Sequence, residues 1–77
     1  MNETCNVTLD ARGLDCPLPL LKAKQALNRM EAGELLEIYA TDAGSVRDFA
    51  VFSEQSGHSL LCSEQLGDEY HYIIKKS

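Results

Sequence analysis

Near the start of the chain, Cys5, Val7 and Leu9 interleave with Asn6, Thr8 and Asp10, the one-by-one alternation of a half-buried strand. The period then changes. Leu20, Ala23, Leu27 and Met30 recur every three or four residues, which is one face of a helix and predicts a first helix from about Pro17 to Ala32, with Gly33 at its C′ position. Leu35 to Thr41 is short, holds Ile and Tyr and follows directly on that glycine, so it reads as a second strand. Asp42 or Ser45 offers N-cap chemistry for a second helix that turns Val46, Phe49 and Ala50 inward and ends at Gly57. His58 to Leu66 and Glu69 to Lys76 flank the turn pair Gly67-Asp68 and read as a terminal hairpin.

The element order is therefore β-α-β-α-β-β. The helix between the first two strands is the crossover that a parallel pair requires. Both helices must bury their apolar stripes against one face of a four-stranded mixed sheet, which predicts a two-layer α/β sandwich. At 77 residues with 44% apolar content and mean hydropathy −0.22, residues 1–77 are expected to form a single small soluble domain.

Apolar runs reach four residues at most, against roughly 20 for a membrane span, so no membrane association is expected. Met1 to Asn6 contain no basic residue ahead of an apolar stretch, unlike a secretory leader, and the expected compartment is the cytoplasm. Seven Lys and Arg against twelve Asp and Glu give a net charge of −5, which opposes stable binding to a nucleic-acid backbone. Cys5, Cys16 and Cys62 are odd in number and widely spaced, the signature of thiols in a reducing compartment rather than of a disulfide scaffold. No C-x-x-C pair is present and His58 and His71 have no local Cys partner, so no zinc spacing is visible. Cys5 and Cys62 read as packing residues on alternating strand positions.

The informative stretch is Gly13-Leu14-Asp15-Cys16-Pro17-Leu18-Pro19. With Cys16 as N-cap, Pro17 and Pro19 fall on the first and third helical positions, whose N–H groups have no helical partner in any case. The Leu18 N–H is then the expected donor to the Cys16 sulfur, helped by the helix dipole and opposed by Asp15. The expectation is a thiol tuned near neutrality. Residues 16 to 30 hold Lys22, Lys24 and Arg29 and no acid, while the remainder holds four cations and twelve acids. A basic strip opening at the thiol of an acidic molecule would steer it toward an acidic protein surface or an anionic sulfur group.

Leu9-Asp10-Ala11-Arg12-Gly13-Leu14-Asp15-Cys16-Pro17-Leu18-Pro19 resembles the opening of the TusA/SirA-like sulfur carriers, with their C-P-x-P motif. Gly33-Glu34, Thr41-Asp42, Arg47-Asp48 and Tyr72-Ile73-Ile74-Lys75-Lys76 extend the likeness over nearly the whole chain. The resemblance implies the same two-layer fold and an accessory sulfurtransferase role, in which Cys16 accepts sulfane sulfur as a persulfide and hands it to an acceptor protein. It implies Asp15, Pro17, Leu18 and Pro19 as support for that thiol. It also implies Asp42 as an acidic position near the helix-start face of the sheet, where, by their charge, Lys22, Lys24 and Arg29 are expected to face the partner with it. The donor would be a cysteine desulfurase or a rhodanese, and no metal or organic cofactor would be needed beyond the covalent persulfide. Two other classes compete: a non-catalytic interaction module of the same fold, and a thiol redox protein, which the lack of a resolving cysteine disfavours.

Overall fold

The computed structural model describes residues 5–77, so the expectation for Met1 to Thr4 as part of a leaderless start lies outside the described residues. Six elements follow in chain order: β1 (Val7–Ala11), α1 (Leu18–Asn28), β2 (Leu35–Ala40), α2 (Ser45–Ser56), β3 (Ser59–Leu66) and β4 (Glu69–Lys75). They form a sheet of order β1-β2-β4-β3. The β1–β2 pair is parallel, and β4 runs antiparallel to both β2 and β3. Two helices thus pack on one face of a four-stranded mixed sheet, as the periodicities require.

Register decides which side chains the helices cover. Val7, Leu9 and Ala11 stand beside Leu36, Ile38 and Ala40, which stand beside Ile74, Tyr72 and Tyr70. Because side chains alternate across a strand, this set shares the helix-covered face. Ala23 and Leu27 of α1, Met30 just beyond it and Phe49 of α2 close on it from above. The rings of Phe49 and Tyr72 meet at 4.7 Å, and both are fully buried. Each such side chain contributes about 1.5–3 kcal/mol by leaving water.

Three local expectations are corrected. First, α1 ends at Asn28, with Arg29 as its C-cap, four residues short of Ala32. Gly33 therefore lies in the following turn, its N–H donating to Lys76 O at 2.8 Å. The reason is distant: the Lys76 ammonium donates to the Leu27 and Met30 carbonyls at 2.6 and 2.8 Å, satisfying helix-end acceptors that another turn of helix would have consumed. Second, the N-cap of α2 is Gly44, with no side-chain cap bond, rather than Asp42 or Ser45. Third, its inward face carries Ser45 and Phe49, while Val46 and Ala50 are exposed. The Ser45 hydroxyl meets the Tyr72 hydroxyl at 2.6 Å inside the core, and residues four apart share a helix face. Gly57 does end α2, in the left-handed conformation at φ 86°, and the terminal hairpin is present as read. No helix among the described residues is long and apolar enough to cross a membrane.

Candidate functional site: an exposed thiol between two helix starts

Parallel pairing brings the C-terminal ends of β1 and β2 to one edge of the sheet, so the segments that open α1 and α2 lie side by side. Cys16 sits in the first of these and is exposed. Its Sγ donates to Asp48 Oδ2 of α2 at 2.7 Å. Its backbone N–H donates to Asp42 Oδ2 at 3.2 Å. A Cβ built on Gly44 would lie 3.0 Å from that same Asp42 oxygen and 3.7 Å from the Cys16 Cβ, so the glycine leaves room for both groups. The Gly13 N–H donates to Thr41 Oγ1 at 2.8 Å and ties the two loops together.

The cysteine is one residue further from the helix than expected. Pro17 is the N-cap and Pro19 lies in the first turn of α1, and the Cys16–Pro17 peptide bond is cis. The Leu18 N–H donates at 2.8 Å to the Asp15 carbonyl, not to the Cys16 sulfur. A thiol tuned near neutrality is accordingly corrected: the Asp48 carboxylate, accepting the thiol proton, holds the Cys16 pKa above the usual cysteine value, and lost hydration and the charges of Asp48 and Asp42 act the same way. A donor bonded to an anion is harder to ionise, whatever the helix dipole contributes.

The other candidate residues divide between the site and its surroundings. Asp42 lies against the Cys16 backbone, and Pro19 is buried and anchors the start of α1. Asp15, Pro17 and Leu18 are exposed beside the thiol. Leu18 and Leu21, each 45% exposed, offer an apolar rim of the kind that partner proteins cover. Lys24 stands 5.6 Å above the Phe52 ring and, with Leu20, Arg47, Asp48, Val51 and Gln55, lines an open groove of about 400 Å³ between the helices. Lys22 is exposed on α1. Arg29 is the C-cap of α1, about 15 Å along the helix axis from its start, and is not brought to the thiol.

Sequence reasoning missed Asp48 as the thiol's partner, having met it only in the Arg47-Asp48 family likeness. The signal that could have found it is topological: two parallel strands put both helix starts at one sheet edge, and Asp48 is the acid in the first turn of α2. Strand pairing also sets Cys62, Glu64 and His71, which share no local spacing in the sequence, within reach of a common centre.

The two-layer sandwich thus presents an exposed thiol outside any disulfide, with one carboxylate on its backbone N–H and another on its thiol proton. Residues 7–76 match the family model described as sulfurtransferase TusA, and the chain belongs to that family. It is 52% identical over 69 residues to the sulfur carrier protein TusA of Allochromatium vinosum, covering 90% of this chain and 91% of that one. It is 43% identical over 68 residues to the YrkI protein of Bacillus subtilis, covering 88% and 91%. The crystal structure of a SirA-like protein from Desulfitobacterium hafniense superposes with a TM-score of 0.78 at 27% identity, over 90% of this chain and 95% of that one. Its class is that of the sulfur carriers, which take sulfur from a donor and yield it to an acceptor.

Proposed function

We propose that this sulfur carrier holds its cargo as a persulfide on Cys16 and relays it between two proteins in a reducing compartment, the cytoplasm. The observation that carries this reading is the exposed Cys16 sulfur, 2.7 Å from Asp48 at the junction of two helix starts. The Cys16 sulfur attacks the outer sulfur of a donor persulfide. One S–S bond forms and one breaks, the donor leaves as a thiol, and the Cys16 proton passes to the departing sulfur, so no external oxidant or reductant is consumed. Asp48 keeps the resting thiol protonated and hence slow toward adventitious electrophiles, since the thiolate is the reactive form. Once loaded, the reactive atom is the outer sulfur, one bond further from Asp48 and further into solvent.

Donors that fit are a cysteine desulfurase or a rhodanese, both of which present a protein persulfide. Leu18 and Leu21 supply an apolar rim for them. Lys22 and Lys24 favour an acidic partner face, and Asp42 completes the polar edge. The groove beside Asp48 opens on this same side, where a partner segment could lie between Lys24 and Arg47.

Intact mass spectrometry after incubation with desulfurase and cysteine, or with rhodanese and thiosulfate, tests the reading. The expected result is a reducible adduct of about 32 Da, one sulfur atom, absent from Cys16→Ser and retained in Cys62→Ser. No adduct with either donor would favour a non-catalytic interaction module, and a loss of about 2 Da within one chain would indicate disulfide redox chemistry instead.

A further inference from the structure

The face of the sheet turned away from the helices carries a second constellation. His71 is 9% exposed and sits with its ring against that of Tyr39, centroids 4.8 Å apart. Its Nδ1 is 2.9 Å from Glu64 Oε2 and 3.8 Å from Cys62 Sγ, and the three ligand atoms lie within 4.8 Å of one another. Its Nε2 is 2.7 Å from Glu37 Oε2. Glu37 is itself held by the Tyr39 hydroxyl at 3.0 Å and the Thr8 hydroxyl at 3.3 Å.

A bulge puts the thiol there. Leu60 pairs with Ile74 on the helix-covered face, but the register slips between Leu60 and Cys62, so that Cys62 pairs with Ile73 and Glu64 with His71. Two residues apart on a regular strand would share a face. The extra residue, Leu61, absorbs the slip and turns Cys62 and Glu64 to the open side.

We infer that Cys62, Glu64 and His71 form a binding site for a thiophilic divalent cation of the zinc class, on the face of the sheet opposite Cys16. Sulfur, imidazole nitrogen and carboxylate oxygen are the donor set that zinc takes. With bonds of about 2.0 Å to nitrogen and oxygen and about 2.3 Å to sulfur, tetrahedral edges come to about 3.3 Å for N···O and about 3.5 Å for N···S. The observed 2.9 and 3.8 Å lie within about 0.4 Å of those edges, and the Cys62–Glu64 edge, at up to 4.8 Å, closes to about 3.5 Å by a swing of about 1 Å in the exposed Glu64 side chain. Glu37 accepts the Nε2–H and keeps it when a metal binds, the outer carboxylate that metal-bound histidines almost always have; Nδ1, whose proton meets Glu64 in the metal-free protein, gives that proton up to solvent and turns its lone pair to the cation. Three protein ligands leave a fourth position on the solvent side for water or an exogenous thiolate. On binding, Cys62 coordinates as the thiolate and its proton is released to solvent, with no change of oxidation state.

Cobalt(II) titration of full-length reduced Cys16→Ser protein tests the site, the background variant removing the exposed Cys16 thiol. One equivalent is expected to produce a thiolate-to-metal charge-transfer band in the near ultraviolet and the intense visible bands of a tetrahedral site, both erased by zinc(II). Cys62→Ser on that background should abolish the charge-transfer band with far-ultraviolet circular dichroism unchanged. Glu37→Gln, which keeps all three ligands, should weaken affinity about 10–100-fold. Absence of a thiolate band at one equivalent, or a band that survives Cys62→Ser, would overturn the assignment.

Discussion

Replacing Tyr72 by Phe removes one hydroxyl from the interior and nothing else, because the ring keeps its 4.7 Å contact with Phe49. What it leaves behind is Ser45, 1% exposed, whose hydroxyl has lost its partner at 2.6 Å. A buried hydroxyl stranded in this way costs about 1–3 kcal/mol, and Ser45→Ala strands the Tyr72 hydroxyl to the same effect. At about 2.1 cal/mol/K per residue, 77 residues give an unfolding entropy of about 0.16 kcal/mol/K, so each kcal/mol moves the midpoint by about 6 °C. Either single variant should therefore melt about 6–18 °C lower. The double variant removes both members of the pair and strands neither, so its loss should resemble one single variant rather than the sum, with a coupling of at least about 1 kcal/mol. Urea unfolding of the four proteins of the cycle measures this directly. Losses that add to within about 0.5 kcal/mol would refute the claim that this bond pins α2 to β4. The stakes extend to the site, since Asp48 lies one turn beyond Ser45 and its position depends on where α2 begins.

Four further outcomes follow from the same structure. Asp48→Asn removes the anion that disfavours the Cys16 thiolate, so the pH profile of iodoacetamide alkylation should move to lower pH and the rate at neutral pH should rise; an unmoved profile would break the link between the two residues. Lys76→Met keeps the aliphatic stem but loses the charged bonds to Leu27 O and Met30 O, and should cost about 1–2 kcal/mol in urea unfolding. Gly57→Ala meets no neighbour within 4 Å yet must hold φ +86°, and should cost about 1–2 kcal/mol through backbone strain alone. Leu27→Ala opens a cavity under α1, where the leucine is 2% exposed, and should cost about 2–5 kcal/mol by the same measurement.

The architecture was legible because its signals are local and repeated. Alternation at Cys5 to Asp10, three-and-four spacing from Leu20 to Met30 and the turn pair Gly67-Asp68 each report a backbone period or a turn preference that neighbours in sequence impose. Cys16 was legible as a candidate for a similar reason, since two prolines around a cysteine ahead of a helix constrain only that short segment. The inward face of α2 was misread at Val46 and Ala50 because nothing nearby reveals that a serine, Ser45, will be buried. Its partner Tyr72 is 27 residues away.

The chain's own order of residues settled the two-layer α/β sandwich, the ends of most elements and the place of the exposed thiol, because each depends on intervals of a few residues that backbone geometry reads directly. Only the folded molecule decided how that thiol ionises and what surrounds the second one. Asp48 reaches Cys16 across 32 positions, Lys76 closes α1 from the far end of the chain, and one bulged residue turns Cys62 to His71. Electrostatic and hydrogen-bonding environments are set by distance in space, and those distances exist only once β1 and β2 have paired and brought their helices to a common edge.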